Sequence, residues 1–255
     1  MKFDQVSAVV TGGVSGLGLA VARRIVNNGG KVCLLDINDQ AGDAMAEELG
    51  NGTRYIHTNV TSETDVQDAL QQAAEANDGI NLAVNCAGII GAGRALGREA
   101  PMDLSFFSNT IMINLVGSFN VSKAAANLMQ HNQAGEDGER GVIISTASVA
   151  AYEGQIGQAA YSASKAGVVG MTLPLAREFS RFGIRVMAIA PGIFWTPMVD
   201  GMPEHVQESL SASIPFPSRL GKAEEFAATV EHITENRYLN GTTIRLDGAV
   251  RLAPK

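Results

Sequence analysis

Residues 7–26 read SAVVTGGVSGLGLAVARRIV, and the fold turns on how they divide. SAVVT is a β-branched apolar run of strand length. From Gly16 the apolar residues fall at helical spacing, which predicts a helix to about Asn28. Between them lies TGGVSGLG, residues 11–18. Glycine lets a chain turn sharply and lets its backbone approach a ligand closely. Strand, glycine turn and helix in that order distinguish a dinucleotide-binding turn from an ordinary tight turn. Gly12, Gly16 and Gly18, with Ser15 and Leu17 of the same turn, are therefore candidates to present helix-terminal amides to a pyrophosphate.

The next apolar run, KVCLLD, ends in Asp36, 18 positions beyond Gly18. A carboxylate there can accept both hydroxyls of an adenosine ribose and would repel a 2′-phosphate, which favours NAD over NADP. No arginine stands beside the glycines or just after Asp36. The competing reading of Asp36 is a turn residue or a helix cap.

Working outward, the pattern repeats. TRYIHTNV, NLAVNCAG, GVIISTAS, IRVMAIAP and TTIRLD are further strand-like runs, with helices predicted near 40–49 and 63–76 and in the later gaps. Apolar residues on successive positions suit strands buried on both faces. Strand-helix repetition predicts an α/β fold, a doubly wound parallel sheet with helices on both sides, in one domain over residues 1–255. The polar stretch 131–141 reads as a surface loop. Pro174, inside the helical pattern that starts near Tyr161, predicts a kink and not a new element.

Apolar residues make up 45% of the chain and charged ones 18%, below the roughly 25% of an average globular protein. That balance leaves apolar surface for contact with further copies. A net charge of −7 argues against a nucleic-acid binder. No run of about 18 apolar residues is present to span a membrane. The start, MKFDQVSAVVTGG, has neither a signal-peptide core nor an arginine-rich presequence, so a cytoplasmic location is expected. Cys33 and Cys86 lie in strand-like runs and read as buried thiols of a reducing compartment. They suggest no metal site. His57, His131, His205 and His232 show no ligand spacing and read as incidental.

Residues 159–167, AAYSASKAG, put Tyr161 and Lys165 one helical turn apart on one face. Alone, that pair is a weak signal. In company with TGxxxGxG at 11–18 and NCAG at 85–88, the chain resembles the short-chain dehydrogenase/reductase family over nearly its whole length. The resemblance implies a seven-stranded Rossmann-type sheet and hydride transfer between a nicotinamide and a carbonyl or alcohol. It implies that Asn114, Ser148, Tyr161 and Lys165 are catalytic. It further implies that Asn59 and Val60 meet adenine, that Asn85, Ala87 and Gly88 support the cofactor, and that Pro191, Gly192 and Thr196 hold the nicotinamide carboxamide. Ser148, Gln158 and Tyr161 are the implied substrate contacts, and residues 195–220 the implied lid, with Trp195 either in the pocket or packed beneath it.

A narrower resemblance, carried by residues 146–178, 214–221 and 240–252, is to the 3-hydroxyacyl-CoA dehydrogenases of that family. It implies NAD-dependent oxidation of a 3-hydroxyacyl-CoA to the 3-oxo product, a place in fatty acid metabolism and a homotetramer. The stretch 88–107 departs from that pattern. A hydroxysteroid or another secondary alcohol is the alternative substrate. A cofactor-binding protein that works by interaction is the third reading, and the intact set of four residues argues against it.

The implied chemistry explains the opening pair. A free phenol has a pKa of about 10, too high for a base at neutral pH. A neighbouring ammonium and a positive nicotinamide both favour the phenolate. Lys165 is expected to lower Tyr161 and to hold the nicotinamide ribose, Ser148 to orient the substrate oxygen, and Asn114 to hold a water that connects Lys165 to solvent.

Overall fold

The computed structural model describes residues 1–98, 100–195 and 204–254. Seven parallel strands form one sheet in the order β3-β2-β1-β4-β5-β6-β7. They are β1 Ser7–Thr11, β2 Lys31–Asp36, β3 Arg54–His57, β4 Leu82–Asn85, β5 Gly141–Thr146, β6 Ile184–Pro191 and β7 Thr243–Leu246. Every apolar run identified in the sequence supplies one of these strands. Helices α1 (Gly16–Asn27), α2 (Asp39–Leu49) and α3 (Glu63–Asn77) alternate with the first four strands. Helix α4 (Leu104–Ile111) leads through one π turn (Met112–Val116) into α5 (Gly117–Met129). α6 (Ala159–Phe179), α7 (Glu204–Ala212) and α8 (Ala223–Glu235) complete the set.

Successive buried residues along each inner strand point to opposite faces. Val10, Leu34, Val84 and Ile144 pack with Ile25 of α1 and Phe226 and Val230 of α8. Val9, Leu35, Ala83 and Ile143 pack with Leu70 of α3, Val121 and Met129 of α5 and Phe179 of α6. Both faces are covered, so the strands need no polar side. Each of these Val, Leu, Ile, Phe and Met side chains contributes about 1.5–3 kcal/mol by leaving water.

Residue patterns also set the helix ends. Asn38 caps α2 by accepting from Ala41 N at 3.2 Å, and Ser62 caps α3 by accepting from Asp65 N at 3.3 Å. α6 runs unbroken through Pro174. Gly42, an unfavourable residue inside α2, lies where an added Cβ would sit 2.4 Å from the Tyr55 ring.

β1 pairs with β2 on one side and β4 on the other, and the strand order reverses between them. In open parallel sheets, ligands bind in the crevice that such a reversal opens at the carboxyl ends. The glycine turn and NCAG both lie at that end.

Candidate active site

Thr11, at the end of β1 and 1% exposed, accepts from the main-chain N–H groups of both Cys86 and Ala87 at 3.1 Å. Its hydroxyl thus ties the glycine turn to the segment after β4. Gly12 has φ +61°, and a Cβ there would lie 2.9 Å from Ala87 N. A Cβ on Gly18 would lie 2.3 Å from the Gly12 carbonyl oxygen. Gly16, at φ +51°, opens onto free space. Ser15 stands at the N-cap of α1 without a side-chain bond to the helix, so the amides of Gly16, Leu17 and Gly18 face that opening without a cap from it. Bare backbone, space and open amides fit a pyrophosphate.

At the end of β2, Asp36 Oδ1 accepts from Ile37 N at 2.8 Å and Asn38 N at 3.1 Å, which fixes the carboxylate and leaves Oδ2 for ribose hydroxyls. Tyr55 Oη lies 3.0 Å from the Asp36 carbonyl oxygen and 2.7 Å from Asp39 Oδ1. Asp39 Oδ1 also meets His57 Nδ1 at 2.7 Å in an exposed surface contact. Asn59, expected to meet adenine, already has contacts within its own turn. Its Oδ1 already accepts from Thr61 N and Thr61 Oγ1, which occupies both lone pairs of the oxygen expected to meet adenine. Val60 beside it is buried.

Asn85 is 2% exposed and donates to Ser122 Oγ and Ser145 Oγ, at 3.1 and 3.0 Å, binding β4 to β5 and α5. Gly88 lies under Asn114, with room for a Cβ only 3.0 Å from Asn114 Oδ1. Asn114 is fully buried in the π turn. Its amide accepts from Ile89 N at 2.8 Å and donates to Ile89 O and Ser164 Oγ at 3.0 Å. Its main-chain carbonyl accepts from Ser118 Oγ at 2.7 Å. Both amide hydrogens of Asn114 are thus used within the protein, and its Oδ1 keeps one lone pair.

Tyr161 and Lys165 occupy the first two turns of α6, with Lys165 Nζ 5.8 Å from the centre of the Tyr161 ring. Ser148 follows β5, and its hydroxyl acts on the Tyr161 phenol, favouring the phenolate. Its Oγ also accepts from Ala150 N at 3.1 Å, which leaves its proton free to point elsewhere. Lys165 is 5% exposed and donates to the Thr146 carbonyl at 2.7 Å. One of its three N–H bonds is used and two remain.

The electrostatics correct one expectation. Burial pushes the Tyr161 phenol above its ordinary value, and the Ser148 hydrogen bond offsets only part of that. Burial also pushes Lys165 down to about 8, against a smaller opposing pull from Cys86. Desolvation disfavours the charged form of both groups. The protein by itself thus keeps the phenol protonated, and the lowering expected of Lys165 does not dominate here.

The profile described as short chain dehydrogenase matches residues 6–207. The chain belongs to the short-chain dehydrogenase family. Its close relatives agree in length as well as in sequence. The human protein named 3-hydroxyacyl-CoA dehydrogenase type-2 is 51% identical over 249 residues, 97% of this chain and 95% of the human one. The Drosophila melanogaster protein of the same name is 50% identical, over 97% and 98% of the two chains. The crystal structure of 3-hydroxyacyl-CoA dehydrogenase type-2 from Mycobacterium avium superposes with a TM-score of 0.95 at 43% identity, covering 99% and 98%.

Several site residues of this dehydrogenase escaped the sequence reading. Thr11, Thr146 and Ser164 work through single hydroxyls or carbonyls that any strand or helix might carry. Pro191 is buried at the end of β6, and a Cβ on Gly192 would lie 2.8 Å from Asp247 Cα, so the Pro-Gly segment packs against the turn after β7. Thr196 lies outside the described residues, as do residues 197–203 of the expected lid. Trp195 is 43% exposed and lines a cavity of about 420 Å³ with Ser211, Arg219 and Lys222.

The segment between Ser148 and Tyr161 is braced from outside. Arg245 of β7 makes paired 2.8 Å bonds to Glu153 and a third to Asp247. Gly93 N donates to Gly157 O at 2.7 Å. Among the described residues, no group of acids, cysteines and histidines could hold a metal, and no helix is long and apolar enough to cross a membrane.

Proposed function

We propose that this dehydrogenase oxidises the hydroxyl of a 3-hydroxyacyl-CoA to a ketone with NAD, through Ser148, Tyr161 and Lys165. The observation that carries the reading is buried Lys165, with Nζ 5.8 Å from the centre of the Tyr161 ring, at the same end of the sheet as the open start of α1. The relatives' names supply the substrate class. Asp36, fixed by two amides, supports NAD over NADP, since a 2′-phosphate would meet its carboxylate.

Bound NAD supplies a hydride acceptor and a positive ring. The protein's own groups do the rest. Two unused N–H bonds of Lys165 would hold ribose oxygens, with Nζ 5.8 Å from the centre of the Tyr161 ring. Positive charge beside Tyr161 offsets the burial that holds its proton on, so the phenolate forms in the complex and takes the hydroxyl proton. Ser148 turns its free O–H toward the substrate oxygen and orients it. Asn114 acts at one remove, pinning the Ile89 peptide over the site.

Exposed apolar side chains on α4, the π turn and α5, among them Leu104, Phe106, Met112, Val116 and Phe119, support a homotetramer. The free thiols Cys33 and Cys86 fit a reducing compartment such as the cytoplasm.

Initial rates with NAD against a panel of 3-hydroxyacyl-CoA chain lengths, hydroxysteroids and simple alcohols test the substrate. Tyr161→Phe tests the base. It should bind NADH like the parent and lose at least 10²-fold in turnover, the lower end of what a general base contributes. Turnover above a tenth of the parent's would overturn the mechanism.

A further inference from the structure

Gly117 and Asn120 are poor helix formers, yet both stand in α5. Positions i and i+3 of a helix share a face. That face meets the turn 58–62, which joins β3 to α3. A Cβ on Gly117 would lie 2.6 Å from Val60 Cγ2 and 3.1 Å from Val60 Cβ, so glycine is what leaves room for the Val60 side chain. Asn120, buried like Val60, donates through Nδ2 to the Val60 carbonyl at 3.1 Å and to the Ser62 carbonyl at 3.2 Å. Carbonyls can only accept, so the two partners fix the amide with its nitrogen toward the turn, and both of its hydrogens are used.

The turn makes its own shape. Thr61 N and Thr61 Oγ1 donate to Asn59 Oδ1, and Ser62 N donates to the Asn59 carbonyl at 3.0 Å. Those bonds stay within the turn and do not set where it sits on the molecule. Its start is placed by Thr58 N, which donates to the Asp36 carbonyl at 2.8 Å, beside the acid at the end of β2. The next hold on it is the face of α5, with a gap for the Val60 side chain and an amide for the carbonyls on either side of Thr61. Valine is stiff about its first side-chain bond, so its methyl cannot swing aside if the gap is filled. The turn itself would have to move.

We propose that Gly117 and Asn120 are positioning residues for the adenine end of the cofactor site, holding the Asn59–Val60 turn at the depth from which it reads the base. The inference rests on the NAD reading, in which that turn meets adenine. A displaced turn loses the edge of the base and leaves the ribose and pyrophosphate to Asp36 and the start of α1.

The test compares NADH with deamino-NADH, which carries hypoxanthine in place of adenine and is otherwise the same molecule. At the edge of the base, adenine offers an amine and an accepting N1, and hypoxanthine a carbonyl oxygen and an N1–H. Dissociation constants for both come from fluorescence titrations of the parent, Gly117→Ala, Asn120→Asp, and Gly117→Ala combined with Val60→Ala. Asn120→Asp keeps the size of the side chain and sets a carboxylate against two carbonyls. The parent should prefer NADH. In Gly117→Ala and in Asn120→Asp that preference should fall by roughly 2–13-fold, the worth of one net hydrogen bond, because NADH weakens more than deamino-NADH. Val60→Ala removes the methyl that the new Cβ would meet, so the double variant should regain part of what Gly117→Ala loses. The two single variants disturb the turn by separate contacts, so either one decides the matter. The ratio is read on folded protein, so a lower Tm does not enter it. Equal weakening of both nucleotides would reduce the pair to a structural brace and overturn the inference, as would an unchanged ratio. A parent that binds both nucleotides equally would instead overturn the assignment of the Asn59–Val60 turn to adenine, and the inference with it.

Discussion

Lys165 links cofactor binding to pH in a way that can be worked through. Burial holds its pKa at about 8 in the free protein, against an ordinary 10.5. When ribose oxygens accept its two spare N–H bonds, the charged form gains partners and its pKa climbs back. Binding then takes up a proton at any pH between the two values. Below pH 8 the ammonium is charged before and after binding, and this group gives no pH dependence. Above pH 8 the ammonium must first be reprotonated, so affinity falls as pH rises, by at most tenfold per unit. Full recovery to the ordinary value sets a ceiling of about 3 kcal/mol, roughly 300-fold. NADH is the better probe than NAD, because its neutral ring does not couple to Tyr161. Fluorescence titrations from pH 7 to 10 should show parental affinity weakening through pH 8–9. Lys165→Met should bind weakly at pH 7 and show no such slope. A parental affinity that is flat across this range, or that tightens, refutes the assignment of Lys165 to the ribose.

Gly18→Ala should be far worse than Gly16→Ala. The first places a Cβ 2.3 Å from the Gly12 carbonyl oxygen, so α1 must shift by about 1 Å, a misplacement of the size that costs about 10²-fold in rate; turnover should fall by that order and NADH titration should show weaker binding. The second meets nothing but holds alanine at φ +51°, at a cost of about 1–2 kcal/mol visible as a Tm lower by several degrees. Light scattering at micromolar concentration should give a four-chain mass, and Val116→Asp with Phe119→Asp should lower it. A parental monomer would refute the assembly.

The sheet was legible because its strands are buried on both faces. Runs such as IRVMAIAP have no polar alternation to confuse with a helix, and all eight residues of β6 are indeed buried. The Tyr161–Lys165 face was legible because helical spacing is a local property. What could not be read depends on distant parts of the chain. IMINLVGSF carries an ordinary helical pattern, and its π turn accompanies the bonds of buried Asn114 to Ile89, 25 residues earlier. Such turns gather at functional sites, but nothing in the residue types announces one. The raised phenol of Tyr161 comes from burial, which spacing does not measure. Asn59 and Gln158 look like free amides in the sequence, and only the structure shows Thr61 and Gln155 already claiming them.

The three bonds of the Asn114 amide change how knockouts at that position must be interpreted. The side chain fastens three things at once: the peptide after NCAG, the π turn and the serine beside Lys165. An aspartate would keep the bond from Ile89 N and set an anion against the Ile89 carbonyl. An alanine would release all three. Any fall in turnover on replacing Asn114 therefore mixes a displaced loop with whatever part the residue takes in moving protons. Solvent isotope effects and proton-inventory measurements respond to the second and not the first, so they, and not the size of the rate loss, can assign its role.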